Sequence, residues 1–227
     1  MHKSMWTDTN LSISVINTQG SNIMEDLVQP EASELAFPDK RIWFVPTQIP
    51  KPLLESMREY CDNLDHDTAK VFGDTQDGEV TRPSVRKSDV AWIPWDEWIP
   101  GIIHNLMISA NELHFKYDLR HFNTKIQSTV YGKKGDKYGW HVDGGRTYDV
   151  DGVTCERKLS CSLLLSEPDE YEGGELQFSY YSDNFSRVKP PAGTAVIFPA
   201  WVPHRVTPVK SGVRRSLVAW MDGPLFK

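Results

Sequence analysis

The sequence predicts an α+β fold: short antiparallel strands arranged as a sandwich or jelly roll, with two helices packed on one face. Three observations carry this reading. Two stretches in the first half place apolar side chains at helical spacing. From Ile126 onward the chain breaks into short β-rich segments, each bounded by Gly, Pro, Asp or Ser. No helical pattern falls between those segments, so the crossovers of a parallel sheet are missing.

Taken in order, residues 1–40 are weakly patterned. Asn10–Asn17 alternates enough for one edge strand, and residues 29–40 combine Pro30 and Pro38 with Glu31, Glu34 and Asp39, a linker-like composition. Residues 1–40 are therefore expected to be an extension, wrapped on the surface or partly disordered, ahead of one domain over 41–227. Arg41–Pro46 reads as a strand stopped by proline. Pro52–Leu64 spaces Leu53, Leu54, Met57, Tyr60, Cys61 and Leu64 as one helix face, with Pro52 acceptable in a first turn. Asp65–Asp77 is polar and reads as loop. Gly101–Tyr117 predicts a second helix whose face carries Ile102, Ile103, Leu106, Met107, Ala110, Leu113 and Tyr117. Between the helices, Trp92, Trp95 and Trp98 sit among prolines, where they either cap a core or contact a ligand. The β segments are Ile126–Tyr131, Lys158–Ser166, Glu175–Tyr180, Thr194–Pro199, His204–Val209 and Ser216–Met221.

Composition narrows the class. The chain has 227 residues, 31 acidic and 25 basic side chains and a formal net charge of −6. That balance, without basic runs, disfavours a nucleic-acid partner and an anionic membrane surface. Nowhere do about 18 apolar residues run together, so no membrane partner is expected. Cys61, Cys155 and Cys161 are too few for a disulfide framework, and no apolar leader-like run opens the chain. The expected setting is the cytoplasm.

The chemistry concentrates in a few residues. In Gly139-Trp140-His141-Val142-Asp143, residues two apart on a strand share a side, which puts an imidazole and a carboxylate into one space. That pair is two thirds of the two-histidine, one-carboxylate set favoured by non-haem Fe(II). By itself it also describes a surface histidine beside a turn aspartate. His204 enters a strand after Pro203, a position from which it can reach His141. Arg214 follows ten residues later, across Lys210-Ser211-Gly212, where a hairpin would return it to the same cavity. A guanidinium suits a carboxylate held by two hydrogen bonds, and alternation lets only one of Arg214 and Arg215 face inward. His104, His114 and His121 lack a ligand-spaced partner and read as structural. Glu167, Asp169, Glu170, Glu172 and Glu175 read as a solvated loop that would favour a cationic substrate if it bordered the cleft.

These residues resemble the Fe(II)/2-oxoglutarate-dependent dioxygenases, in particular their prolyl-4-hydroxylase-like, PKHD-type branch. The likeness spans about residues 80–225 and is dense from Tyr131 to Trp220. It includes Tyr131-Gly132, Leu159–Glu167, Tyr171-Glu172-Gly173-Gly174-Glu175-Leu176, Pro191–Pro199 and His204–Val209. It implies a double-stranded β-helix core in which His141, Asp143 and His204 hold Fe(II). It also implies Arg214 on the distal carboxylate of 2-oxoglutarate and Tyr131 donating to that cosubstrate. O2 would be consumed, 2-oxoglutarate would leave as succinate and CO2, and ascorbate would support the iron. The substrate implied is a peptide or protein side chain, proline first. Oxidation of a nucleic-acid base is the alternative on the same chemistry. It calls for a basic groove with aromatic stacking, for which Lys133, Lys134 and Lys137 offer a small basic lip. A non-catalytic cupin-like metal-binding module would be expected to lack one of the four site positions, and all four are filled. A zinc hydrolase would need a general base beside an open water, and none stands out.

Overall fold

The structure, a computed structural model, describes residues 42–45, 49–72, 79–122, 125–181 and 184–226. The extension expected over residues 1–40, with its edge strand at 10–17, lies outside the described residues. The first helix, α1 (Lys51–Asp62), carries Pro52 in its first turn, where a missing N–H leaves no intrahelical bond unmade. Met57 and Cys61 are buried on its inner face, with Leu53, Leu54 and Tyr60 beside them. The second, α2 (Trp98–Ala110), begins three residues before its predicted start because Pro100 also fits a first turn. It closes in a π-helical turn, Asn111–Phe115, ended by Lys116 at φ 60°. The Asn111 amide seals that turn by bonding both the N–H and the carbonyl of Tyr117, each at 2.9 Å. The wider turn swings Leu113 to 72% exposure, so it leaves the apolar face that its spacing predicted.

The principal strands, in chain order, are β1 (Trp43–Val45), β2 (Asp67–Thr68), β3 (Arg86–Lys87), β4 (Asp89–Ile93), β5 (Ile126–Tyr131) and β6 (Lys137–His141). They continue with β7 (Val153–Leu164), β8 (Leu176–Tyr181), β9 (Asn184–Val188), β10 (Ala195–Pro199), β11 (His204–Val206) and β12 (Arg214–Pro224). The larger sheet runs β1-β10-β7-β12-β5-β4-β2, antiparallel throughout, and the smaller runs β9-β8-β11-β6-β3. Three sequence expectations need correction. Asp65–Asp77 is not all loop, since β2 pairs with β4 and Val71–Phe72 pairs with Glu79–Val80. The tryptophan segment begins as strand β4. Lys210–Gly212 is not a hairpin turn: Val209–Gly212 pairs with Tyr171–Gly173, and only then does β12 start. Gly212 makes that crossing feasible, because a Cβ there would lie 2.0 Å from the Glu170 carbonyl oxygen.

Alternation along the larger sheet sorts its side chains into two environments. Leu159, Cys161 and Leu163 of β7, Leu217, Ala219 and Met221 of β12, and Ile197 of β10 face the helices. They form one apolar core with Met57, Ile99, Ile103 and Met107, all fully or almost fully buried. The intervening residues Ser160, Ser162, Ser216, Val218 and Trp220 face the smaller sheet instead. There Phe178 meets Phe198 edge-on, ring centroids 4.9 Å apart, packing the space between the sheets beside His204. Among the described residues no helix is long and apolar enough to cross a membrane.

Candidate active site

The inter-sheet space holds a cavity of about 1130 Å³. Its floor is set by the pairing of β6 with β11, which puts His141 directly opposite His204. Asp143 is not on the strand with His141, as the spacing had predicted. The strand stops at His141, and the next turn is pinned by the Asp143 and Gly144 N–H groups, which both donate to the Ala200 carbonyl at 2.9 Å. That turn brings the carboxylate back between the imidazoles. His141 Nε2 lies 3.6 Å from Asp143 Oδ1, and His204 Nε2 lies 3.4 Å from Asp143 Oδ2. One ligand atom from each residue falls within 4.8 Å of the others.

The surroundings orient all three. His141 Nδ1 sits 2.8 Å from the Gly139 carbonyl and His204 Nδ1 sits 2.9 Å from the Val202 carbonyl. A carbonyl only accepts, so each Nδ1 carries the proton and each Nε2 lone pair points at the shared space. Ser160 Oγ donates to Asp143 Oδ2 at 2.8 Å. Burial alone would raise the Asp143 pKa, but the facing imidazoles, His204 foremost, outweigh it and hold the carboxyl well below the usual range. Burial pushes His204 down to about 4 against the pull of Asp143, so it is neutral at physiological pH. Two imidazole nitrogens and one carboxylate oxygen form the donor set of a divalent first-row metal with positions left open.

Beyond this cluster the cavity narrows toward Arg214. Its guanidinium is 2% exposed and donates to Ser216 Oγ at 2.9 Å, while its Nε has no hydrogen-bond partner. Among the described residues no carboxylate pairs with it. Tyr131 stands directly opposite across the β5–β12 ladder, 3% exposed, with Arg214 5.4 Å from its ring centre. Burial raises the Tyr131 pKa, so its hydroxyl keeps its proton and can donate. Gly174 (φ 60°) makes room beside this arginine, since a Cβ there would lie 3.2 Å from Arg214 Cδ. Alternation turns the neighbouring Arg215 outward, where its Nε meets Asp62 Oδ1 at 2.6 Å.

Two contacts escaped sequence reasoning. Tyr138 stacks on His141 with centroids 3.5 Å apart and planes 15° off parallel, and burial pushes its hydroxyl up to about 12. Three residues apart on a regular strand, the two would face opposite sides. A register shift between β6 and β11 puts them together. Arg86 also lies over the Tyr138 ring, 4.6 Å from its centre. Trp220 lines the cavity, whereas Trp140 and Trp201 do not. Trp140 is half exposed beside Arg205, and Trp201 packs on Tyr117 and Phe226. Trp92 and Trp95 line the mouth at 44% and 42% exposure rather than capping a core, whereas Trp98 packs on Tyr60 elsewhere. Ser162 lines the cavity and Thr194 does not. The acidic loop from Glu167 to Glu175 is absent from the lining, and so are Lys133, Lys134 and Lys137; Lys133 pairs instead with Asp89. His104 is exposed on α2 and His114 packs on Trp43, neither near the cluster.

Residues 126–222 match the family model of the 2OG-Fe(II) oxygenase superfamily. That stretch, 97 of the 227 residues, is similar to the 2OG-Fe(II) oxygenases. A PKHD-type hydroxylase of Janthinobacterium sp. (strain Marseille) is 43% identical over 91 residues, which is 39% of this chain and 39% of that protein. The match therefore spans about two fifths of the length of these curated relatives. Among solved structures, a Pseudomonas putida prolyl-4-hydroxylase matches with a TM-score of 0.60 at 22% identity, covering 80% of this chain and 91% of that one. A Trichoplax adhaerens prolyl hydroxylase, solved with a hypoxia-inducible-factor peptide fragment, matches with a TM-score of 0.58 at 16% identity, covering 80% and 83%. At these identities the likeness establishes the fold, a jelly-roll core with helices against one sheet.

Proposed function

We propose that the oxygenase domain is an Fe(II)- and 2-oxoglutarate-dependent dioxygenase that hydroxylates a peptidyl side chain, proline being the first candidate. The observation that carries this is Arg214. A buried guanidinium without a carboxylate costs several kcal/mol unless something anionic completes it. It lies in the same cavity as a convergent His141, Asp143 and His204, as a dicarboxylate cosubstrate spanning metal and arginine requires. Those three residues would hold Fe(II), with both histidines already in the tautomer that offers Nε2. Bound there, the iron supplies O2 activation coupled to conversion of 2-oxoglutarate into succinate and CO2.

The protein's own share is orientation and exclusion of water. Arg214 fixes the distal carboxylate, and Tyr131 offers a phenolic hydrogen bond beside it. Ser160 holds Asp143 in place, and the Tyr138 ring holds the plane of His141. The wall of Leu176, Phe198, Val206 and Val218 keeps the inner end apolar, which strengthens each polar contact made there. The test is succinate release on admitting O2 to protein loaded anaerobically with Fe(II) and 2-oxoglutarate, with ascorbate present, and stimulation of that release by proline-containing peptides. The expected result is succinate formation that disappears in Asp143→Ala. Equal succinate with and without that carboxylate would overturn the reading.

A further inference from the structure

Although the chain carries a net charge of −6, the cavity is basic. Its lining includes Lys70, Arg86, Lys125, Arg146, Arg157 and Arg214, against only Asp67 and Asp143. Arg214 and Arg86 belong to the inner end already described. The others stand at the mouth, where Arg146 and Arg157 flank the Thr147–Glu156 pair that opens the ladder between Thr147–Val150 and β7. Arg157 is half buried, its guanidinium 4.0 Å from the centre of the Trp220 ring, and burial lowers its pKa, with Asp143 opposing and Arg146 adding to the shift. The register shift in β7 between Arg157 and Leu159 turns this arginine into the cavity. A lining this rich in cationic side chains draws an anionic group to the mouth of the cavity.

We propose that the primary substrate is an acidic peptide, with a carboxylate close to the hydroxylated side chain bound by Arg146 and Arg157. This rests on the oxygenase reading above and names its substrate class. A single-stranded nucleic acid would also welcome arginines and tryptophans, but it brings a phosphate at every step. The ground around the mouth is unfavourable to such a chain. Asp65, Asp96, Asp149 and Asp151 are all exposed, within a few residues of the cavity-lining Asp67, Trp95 and Tyr148. A localised carboxylate fits this pattern of a small basic focus inside an acidic surround. A continuous polyanion does not.

The experiment uses the full chain with Fe(II) and 2-oxoglutarate. Fluorescently labelled proline peptides are compared in three matched versions, flanked by glutamate, glutamine or lysine, for binding by anisotropy and for stimulated succinate release. The expected order is glutamate over glutamine over lysine, with about tenfold between the first two and a loss of that preference at high salt. Arg157→Gln should erase the preference. Because Arg157 is half buried, exposed Arg146→Glu serves as the second variant and should shift the preference toward lysine. Equal binding of the three peptides, or a preference for glutamine or lysine, overturns the proposal, as does stimulation by single-stranded oligonucleotides in place of glutamate peptides. The iron–cosubstrate absorption band of the wild-type protein separates the two claims. Its presence with no acidic preference sinks only the substrate class, and its absence sinks the oxygenase reading itself.

Discussion

At the Arg214 end of the cavity every side chain is enclosed: Arg214, Tyr131 and Ser216 are each no more than 3% exposed, on adjacent strands of the larger sheet backed by two helices. At the mouth, Trp92, Trp95 and Arg146 stand in solvent on short strands and turns. The inner end is packed as a protein core is, so its chemistry is fixed by strand register and tolerates no drift. The mouth is shaped by a bulge, a hairpin and aromatic side chains, and its composition can change without disturbing the scaffold.

Four experiments, one of them with a paired control, test the division, from the greatest expected effect to the least. Asp143→Ala removes the carboxylate between two imidazoles. Metal binding measured by equilibrium dialysis should weaken by at least about a thousandfold, taking turnover with it. Arg214→Met should weaken 2-oxoglutarate binding on the order of a hundredfold, since two charge-assisted hydrogen bonds go together. Its neighbour offers the control: Arg215→Met breaks a partly exposed pair with Asp62, costs at most about 1 kcal/mol of stability and leaves cosubstrate affinity unchanged. If the two arginines behave alike, the inner end is not the closed compartment described here. Ser160→Ala should cost about 10- to 100-fold in metal affinity while circular dichroism stays unaltered, because it loosens Asp143 without removing it.

The fourth probes the sheet beyond the mouth by pH. Burial raises the Asp222 carboxyl to about 7, with the Tyr148 hydroxyl donating to one of its oxygens. A carboxyl whose folded pKa lies above its unfolded value binds its proton more tightly in the fold. It stabilises most below the unfolded pKa, and that contribution drains away as pH rises from about 4 through 7. Urea midpoints of the wild-type protein should therefore fall between pH 5 and pH 8 relative to Asp222→Asn, by an amount on the order of 2 kcal/mol. Parallel pH profiles in the two proteins would contradict this.

The sequence made the inner end legible and the mouth much less so. Period-2 alternation put Arg214 or Arg215 inward, and the two helices announced themselves by spacing alone. The same rule failed wherever the backbone departed from regularity. Asp143 reaches His141 through a turn pinned on Ala200, not along a strand, so the correct pair came from incorrect geometry. Tyr138 and Arg157 are turned into the cavity by register shifts that leave no clear mark in residue spacing. The π-helical turn exposes Leu113, and Trp92 proved to be a strand residue facing solvent. Charge misled at the coarsest level: the acidic total hides a basic cavity, because the acidic residues are spread over the surface while the arginines converge.

The most direct test is calorimetric titration of 2-oxoglutarate into metal-loaded wild-type protein, with Mn(II) in place of Fe(II) to prevent turnover, and into Arg214→Met. One saturable site per chain in the wild type, weakened on the order of a hundredfold in the variant with metal affinity retained, is the expected result. Equal affinity in both proteins would mean that the buried guanidinium does not hold the cosubstrate, and the account would fail at its centre.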